Sequence, residues 1–362
     1  MQLKICFIAP ANSVHIQKWS LWFKKHNHEV FVISLMNPDI DFGVKVYALE
    51  SKIKASDSDW YKLKYLFHVF EVRKIVKELN PDIINVHYAT SYGALAALSG
   101  IHNYVLSVWG SDVYEFPNKS ILHKLLVKFS LWRARCLFST SKAMAEVASK
   151  YTNKKFAITP FGVDMNLFSN KKRNRQDNNF IVGTVKTLSP QYGIATMLEA
   201  IAKVKHDHPE IPLKVRIAGS GSHEEDYHAL AHRLGLDECL TWLGFISQDK
   251  AAFEWANFDC AIIPSESESF GVSAVEAQAS GLPVIISDVP GLMEATDPGN
   301  TSVVVPRGNV NLLAEAIWQM YVSKDIRLKM GMNGRIFVRE HYEVDNCFSL
   351  IESRFMEIAN YR

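Results

Sequence analysis

The chain has 362 residues, of which 48% are hydrophobic and 22% charged, a composition typical of an ordinary globular protein. This length favours two domains, and no apolar run approaches the roughly 18 residues of a membrane-spanning helix. The apolar run at residues 5–10 is too short for the core of a signal peptide and suits a first strand. The five cysteines are odd in number and scattered, which predicts reduced thiols in a cytosolic protein.

Charge is distributed unevenly along the chain. Residues 1–168 contain 21 Lys and Arg against 13 Asp and Glu, whereas residues 169–362 contain 19 against 25. A basic first part joined to an acidic second part predicts that the first part meets an anionic partner. The short basic run within residues 169–179 has no interleaved aromatic residues, so no nucleic-acid partner is expected.

Buried strands and helices alternate along the first part, which predicts a parallel α/β sheet. A helix follows the first strand, with His15, Trp19, Trp22 and Phe23 near helical spacing. The other predicted elements of this part are strands at 30–35, 82–87, 104–108 and 137–141 and a helix at 60–79.

Residues 119–135 form a basic amphipathic helix in this pattern, and two interpretations stay open. The helix either packs in the core with a solvated back or lies on an anionic membrane surface. The positive charge of the first part favours a weak membrane contact. The apolar face comprises Ile121, Leu122, Leu125, Leu126, Phe129 and Trp132, and the basic residues off it are Lys119, Lys124, Lys128, Arg133 and Arg135.

The second part begins after a polar, charged segment at 169–179, which predicts an interdomain linker. Strands are predicted at 180–185, 213–218, 241–243, 260–263, 284–286 and 303–305, followed by C-terminal helices.

Residues 259–294 carry the strongest local pattern. The buried strand 260–263 leads into a polar loop, a helix from Val272 to Ser280, and a stop at Gly281 before the next strand. Glu268 lies in the loop and Glu276 in the helix, where an ionised carboxylate among small apolar neighbours needs a partner. The amides at the start of the helix form a ready site for phosphate.

The string P-S-x-x-E-S-F-G-x-x-x-x-E-A-x-A-x-G-x-P-V at residues 264–284 resembles the E-x7-E signature of retaining glycosyltransferases of family four. The resemblance implies the GT-B fold, an α/β architecture of two Rossmann-like domains with parallel sheets facing a central cleft. The implied division is an acceptor-binding domain at 1–168, a linker at 169–179, a donor-binding domain at 180–340 and a helix at 341–362 that crosses back.

The resemblance also implies roles for the donor-binding residues. Glu276 would bind the nucleotide ribose and Glu268 would face the donor sugar. The alternative is a helix glutamate capped by its neighbours beside a solvated loop glutamate. The backbone of three segments would contact the sugar, the diphosphate and the base of the donor. The residues concerned are Gly219, Phe245 and Ile246, and Ser269, Phe270, Gly271 and Val272.

The chain departs from the family pattern where cations are usual. The family commonly has Arg and Lys after the first strand of the donor domain to neutralise the diphosphate. Thr187 takes the place of that Arg and Tyr192 the place of that Lys. Lys186 is therefore the predicted cation, unless it is a solvated residue at the end of the strand, and Thr187 is kept as a donor contact.

The acceptor domain departs from the pattern as well. Ala11-Asn12-Ser13 replaces the usual Gly-Gly pair, which makes His15 and Lys18 candidates for acceptor contact, with solvent-facing helix residues as the alternative interpretation of both. Trp109 replaces a sugar-binding His and can stack on a sugar face or donate one hydrogen bond. Asp112 is then the nearest polar group for an acceptor hydroxyl, with helix capping as its alternative role. His87, at the end of a buried strand, is the last acceptor candidate.

These features predict a metal-independent, retaining glycosyltransferase of the hexosyltransferase type, which needs no cofactor. The Asp57-Ser58-Asp59 triplet resembles the metal-binding motif of the other large glycosyltransferase fold, but it lies in a polar loop. A UDP-sugar is favoured over a GDP-sugar as donor. The expected acceptor is a saccharide or lipid-linked saccharide of bacterial surface polysaccharide synthesis, and the expected location is the cytoplasm at the inner face of the membrane.

Two alternatives remain from the sequence. A catalytically silent nucleotide-sugar-binding subunit would explain the missing cations and His. A nucleotide-sugar epimerase would share the two-domain architecture but lacks the E-x7-E string. A dehydrogenase is disfavoured, because Gly219-Ser220-Gly221 does not extend to a dinucleotide fingerprint.

Overall fold

The computed structural model of the protein describes residues 1–49, 63–169, 171, 173, 175 and 177–360, and the chain divides into two compact units. Unit 1 comprises Met1–Phe161 and Cys347–Arg362, and unit 2 comprises Gly162–Asn346. The Asp57-Ser58-Asp59 triplet lies outside the described residues.

Seven strands of the described chain form a parallel sheet in unit 1, in the order β3-β2-β1-β4-β5-β6-β7. The order reverses between β1 and β4, and in such sheets ligands bind at the carboxyl ends of the strands where the order reverses. The strands are Lys4–Ile8 (β1), Glu29–Ser34 (β2), Lys45–Ala48 (β3), Ile83–His87 (β4), Val105–Val108 (β5), Cys136–Ser139 (β6) and Phe156–Ile158 (β7).

The helices of unit 1 follow these strands and run back along the sheet. Two short 3₁₀ segments lie at Leu63–His68 and Phe116–Asn118. The α-helices are Val14–Lys25 (α1), Val69–Leu79 (α2), Ser91–Leu98 (α3), Ser111–Tyr114 (α4), Ile121–Arg133 (α5) and Lys142–Ala148 (α6).

The described residues of unit 2 form a six-stranded parallel sheet in the order β10-β9-β8-β11-β12-β13, with the reversal between β8 and β11. The strand predictions at 180–185, 213–218 and 260–263 are confirmed to the residue. The strands are Phe180–Val185 (β8), Leu213–Ala218 (β9), Leu240–Gly244 (β10), Cys260–Ile263 (β11), Val284–Ser287 (β12) and Ser302–Val305 (β13).

Unit 2 contains the helices that follow these strands. A 3₁₀ turn at Pro190–Tyr192 precedes the first long helix. The α-helices are Met165–Ser169 (α7), Ile194–Asp207 (α8), Glu224–Arg233 (α9), Gln248–Asn257 (α10), Val272–Ala279 (α11), Pro290–Ala295 (α12), Val310–Val322 (α13) and Lys324–Tyr342 (α14). Among the helices of the described residues, none is both long enough and apolar enough to cross a membrane.

The central strands are buried on both faces, which explains why they read as continuous apolar runs. In unit 2, Val182, Val215, Ile262 and Ile285 have no exposed surface and belong to one core cluster. Unit 1 has its own core, with Ile8, Val86 and other buried strand residues between its helices. Each unit therefore has the separate hydrophobic core expected of a domain.

The segment predicted as a linker packs against unit 2. Arg173 Nη2 lies 2.9 Å from Asp259 Oδ1, and Arg175 Nη1 lies 3.1 Å from Asp259 Oδ2. Asp259 is buried, so these two guanidinium groups supply the partners that its charge requires. Helix α7 also packs against α10 and α11, and the compact unit begins at Gly162, earlier than the boundary expected after residue 168.

The last helix, Val344–Asn360 (α15), packs most of its length on unit 1. Phe348 and Phe355 are fully buried there, and Phe355 stacks on Phe23 with 5.5 Å between ring centroids. His28 accepts the Leu3 amide through Nδ1, so its Nε2 carries the proton that it donates to Glu352 Oε1 at 2.7 Å. These contacts fix the end of the chain to the first domain.

Candidate functional site

The loop between β11 and α11 forms the centre of the candidate site in unit 2. Helix α11 begins at Val272, and its N-cap Gly271 has φ +98°, a backbone conformation that favours glycine. A Cβ at Gly271 would also lie 2.8 Å from Leu292 Cδ2. The first-turn amides of α11 therefore point out of the carboxyl edge of the sheet, where a helix N-terminus favours an anion.

Lys186 and Glu268 form an ion pair beside this helix. The distance from Lys186 Nζ to Glu268 Oε2 is 2.5 Å, and the two side chains are only 11% and 8% exposed. The same Nζ lies 4.2 Å from the ring centroid of Tyr192. Tyr192, which stands where the family commonly has a lysine, thus contacts the cation expected to replace it.

The loops around this ion pair are held together by backbone contacts. The Gln191 carbonyl accepts the amides of Glu266 and Ser267 at 2.9 and 3.2 Å. A Cβ at Gly219 would lie 1.9 Å from the Lys186 carbonyl oxygen, and one at Gly291 would lie 2.2 Å from that of Glu268. Only glycine allows these approaches, so Gly219 fixes the backbone that carries Lys186. Gly291 was missed by the sequence analysis, since nothing local distinguishes it from a turn glycine.

Glu276 lies inside α11 and is 9% exposed. Gln248 Nε2, at the start of α10, lies 3.4 Å from Glu276 Oε1. Phe245, three residues before Gln248, is 82% exposed, and Ile246 is half-buried. The carboxylate of Glu276, the side-chain amide of Gln248 and the exposed ring of Phe245 thus lie on neighbouring elements. Gln248 is a site residue that was not predicted from the sequence.

The remaining donor candidates offer mostly backbone. Phe270 is 1% exposed and packs edge-on against Tyr342, with 5.2 Å between centroids. Ser269 and Val272 are half-buried, whereas the Thr187 side chain is exposed. Phe270 therefore anchors the loop through its ring, which leaves the peptide groups of residues 269–272 as the part that can meet a ligand.

An aromatic cluster lies at the carboxyl ends of β4 and β5 in unit 1. The imidazole of His15 stacks on Phe161 at 3.9 Å between centroids, and the indole of Trp109 meets Phe161 edge-on at 5.2 Å. Trp109 is 7% exposed, and His15 and Lys18 are half-buried. Within the described part of the chain, the indole nitrogen of Trp109 has no hydrogen-bond partner. The structure thus brings His15 and Trp109 together, as two of the predicted acceptor contacts.

His87 lies beneath this cluster and has no exposed surface. Its ring lies 4.5 Å from Trp109 and 5.0 Å from Trp19, between centroids, and neither ring nitrogen has a hydrogen-bond partner among the residues that the structure describes. Burial holds the pKa of His87 well below its usual range, and the nearby His15 lowers it further. His87 supports Trp109 from inside the unit and presents no atom to solvent.

Asp112 braces two loops of unit 1. Its Oδ2 accepts the Ala89 amide at 2.8 Å, and its Oδ1 accepts the amides of Gly110 and Trp109 at 2.9 and 3.1 Å. Burial raises the pKa of this carboxyl, and the three amide hydrogen bonds act in the opposite direction. These contacts favour a role in positioning Trp109, and they differ from the helix cap that was its alternative interpretation.

Across the part of the chain that the structure describes, no group of three or more His, Cys, Asp and Glu side chains is placed to hold a metal ion.

Two family models match the chain in sequence. The model described as glycosyl transferase 4-like matches residues 4–141, and the model described as glycosyl transferases group 1 matches residues 166–337. The chain belongs to the family-four type of GT-B glycosyltransferases. Its two parallel α/β sheets and its structural neighbours agree with the GT-B fold.

The most similar proteins include one sequence relative and two solved structures. An uncharacterized glycosyltransferase of Methanocaldococcus jannaschii, MJ1178, is 24% identical over 82% of both chains. Sucrose-phosphate synthase of Thermosynechococcus elongatus superposes with a TM-score of 0.85 at 18% identity, with all of both chains covered. Anabaena HepE in complex with UDP-glucose gives 0.82 at 19% identity over 98% of this chain and 100% of that one. The chain spans about half the length of the D-inositol 3-phosphate glycosyltransferases that it also matches.

The two histidines of the aromatic cluster predict a pH-dependent stability. Burial, aided by Lys18, lowers the pKa of His15 to about 4, so His15 and His87 stay neutral in the folded protein. The unfolded chain takes up these protons below about pH 6.5, and stability is therefore lost as the pH falls through that value. Each histidine contributes a slope of about 1.4 kcal/mol per pH unit in the free energy of unfolding.

We expect His87→Leu to flatten this slope in urea denaturation at pH 7.5, 6 and 5. His228, an exposed histidine of unit 2, provides the control, and His228→Leu should keep the wild-type slope. Parallel stability curves for wild type and His87→Leu would show that His87 does not carry the effect.

Proposed function

We propose that this glycosyltransferase moves a hexose from a nucleotide-sugar, with UDP favoured as the nucleotide, to a saccharide or lipid-linked saccharide, with retention at the anomeric carbon. The observation that carries the proposal is the Lys186–Glu268 ion pair beside the first-turn amides of α11. The cation and the helix amides suit a diphosphate, and the carboxylate suits the hydroxyl groups of a sugar. The solved complex of HepE with UDP-glucose, a structural neighbour, supports the choice of nucleotide.

Unit 2 would bind the donor in three parts. Glu276, oriented by Gln248, would accept hydrogen bonds from the ribose hydroxyls. The exposed ring of Phe245 and the backbone up to Ile246 would contact the base. The amides of Gly271 and Val272 would bind the diphosphate, and Glu268 would bind hydroxyls of the sugar.

Lys186 would supply the charge that the reaction needs. As the bond from the anomeric carbon to the diphosphate breaks, negative charge develops on the leaving oxygen, and a fixed cation nearby stabilises it. The acceptor hydroxyl would attack from the face that the diphosphate leaves, forming the new glycosidic bond and passing its proton to a diphosphate oxygen. The protein would thus act by orientation and electrostatic stabilisation, without a metal ion.

Unit 1 would bind the acceptor. His15 packs on Trp109 and Phe161, which are each 7% exposed, so a sugar would contact the exposed part of the His15 ring and the rims of the other two. Lys18 lies one helical turn from His15. A role in bacterial surface polysaccharide synthesis, in the cytoplasm at the inner face of the membrane, completes the proposal.

The silent-subunit alternative is kept because Thr187, Tyr192 and Trp109 occupy places where the family commonly has Arg, Lys and His. Such a subunit would bind the donor yet neither transfer nor slowly hydrolyse the sugar. An epimerase would instead convert the donor without an acceptor. Analysis of the products formed with and without acceptor separates the three functions.

A thermal-shift panel of UDP, GDP, ADP and their common sugars tests the donor site. A nucleotide present at about 100 times its dissociation constant should add about 2.7 kcal/mol to stability. We expect one nucleotide to stabilise the wild type and to lose most of that effect in Glu276→Ala, because the ribose loses its carboxylate. The exposed Glu225 provides the control, and Glu225→Ala should respond like wild type. Equal shifts in wild type and Glu276→Ala would contradict the assignment.

Replacement of Lys186 tests the cationic role. In Lys186→Met we expect kcat to fall by about 10²-fold or more, because the leaving diphosphate loses its cation. Lys186→Arg should recover part of the rate, since it restores the charge with different geometry. Lys155, an exposed lysine of unit 1, provides the control variant Lys155→Met. Wild-type kcat in Lys186→Met would remove Lys186 from the reaction.

A further inference from the structure

Helix α5 exposes an apolar face to solvent in addition to burying one. Val127 and Leu131 are fully buried against the core of unit 1. On the opposite side, large apolar side chains are exposed by more than half of their surface: Ile121 (77%), Leu122 (62%), Leu125 (55%) and Trp132 (66%). The helix does pack in the core, as one of the two interpretations held, but it does so through Val127 and Leu131, and most of the apolar face predicted from the sequence lies on its solvated back.

A second element exposes large aromatic residues in the same way. Phe67 in the 3₁₀ segment is 83% exposed, and Phe70 in the first turn of α2 is 81% exposed. Single exposed apolar residues are normal, but several large ones on neighbouring elements mark an interaction surface.

The two elements belong to one layer of unit 1. Helix α3 packs against the 3₁₀ segment, α2 and α5, and so lies between them. The loop after α3 meets both neighbours. A Cβ placed on Gly100 would lie 3.7 Å from Arg73 Nη1 of α2, and His102 Nδ1 lies 3.5 Å from Arg133 Nη2 of α5. We define the outer face as Phe67, Phe70, Ile121, Leu122, Leu125 and Trp132.

Positive charge surrounds the outer face. Helix α5 contains Lys124, Lys128 and Arg133 and no acidic residue. On the other element, Lys64 and Arg73 are exposed, whereas Glu71 is bound by His68 at 2.8 Å. An apolar surface with a basic border matches an anionic bilayer, in which rings enter the interface and lysines meet the headgroups.

We infer that the outer face binds the surface of an anionic phospholipid bilayer. A second copy of the chain fits less well, because pairing two such faces would bring like charges together. The exposed residues lie on the outer surfaces of two helical elements. Such an arrangement fits contact with the flat surface of a bilayer better than a groove that binds a single peptide. Phe70 and Ile121 lie in the first turns of α2 and α5, and Phe67 lies near the end of the 3₁₀ segment that leads into α2. Since this inference deepens the proposed lipid-linked acceptor, its test uses vesicle binding, which requires no sugar transfer.

The test is sedimentation of the full chain with vesicles of phosphatidylcholine alone and of phosphatidylcholine mixed with phosphatidylglycerol. The wild type should sediment with the anionic vesicles and release at high salt. The variants Phe67→Ser/Phe70→Ser and Lys124→Glu/Lys128→Glu should each lower the partition coefficient by about tenfold or more.

Two matched variants control for lost apolar surface and for changed charge. Ile326→Ser/Leu328→Ser alters residues of unit 2 that are 55% and 57% exposed, and Lys150→Glu/Lys155→Glu reverses two exposed charges of unit 1. Both should bind vesicles like wild type.

The inference is overturned if the wild type does not bind anionic vesicles or if the outer-face variants bind as the wild type does. Self-association of wild type that Phe67→Ser/Phe70→Ser abolishes would assign the face to a second copy instead. A failed nucleotide panel would leave vesicle binding unaffected, so the two proposals fail separately.

Discussion

The ion pair between Lys186 and Glu268 is the interaction on which the candidate donor site depends. Both side chains are nearly buried, so each charge needs the other while no ligand is bound. Their contact requires that the carboxyl ends of β8 and β11 be neighbours, which the reversal of strand order between them provides. Close backbone contacts at Gly219 and Gly291 then fix the two loops. A bound diphosphate would offer Lys186 a second anion at a position that the fold has already prepared.

Unit 1 uses a different chemistry at the corresponding edge of its sheet. The carboxylate oxygens of Asp112 accept hydrogen bonds from three backbone amides, and His87 packs beneath Trp109. At the surface the cluster presents the half-buried His15 and Lys18, whereas Trp109 and Phe161 are each only 7% exposed. Where these rings reach the surface they suit the weakly polar face of a sugar ring, while the basic outer face suits an anionic lipid. Together they favour an acceptor that carries both a saccharide and a lipid anchor.

Much of the fold could be predicted from the sequence, because central parallel strands such as 180–185 and 260–263 are unbroken apolar runs. The position of Glu276 in a small-residue helix likewise indicated its burial. The contact of Lys186 with Glu268 joins residues that are distant in sequence, so no local pattern contains it. The exposure of Leu122 and Leu125 could not be predicted either. Helix α5 is apolar on two sides, and periodicity alone does not say which side packs on the core. The strand that ends at His87 was predicted to be buried, but the pattern did not show that the imidazole lies beneath Trp109 with no surface for an acceptor.

The most direct test of the donor site is amide hydrogen exchange of the chain with and without UDP, and separately with GDP. Bound diphosphate should accept hydrogen bonds from the first turn of α11, and the base should cover the start of α10. We expect one nucleotide to slow exchange at residues 271–273 and 245–248. Unchanged exchange in both segments with either nucleotide, or protection confined to unit 1, would contradict this expectation.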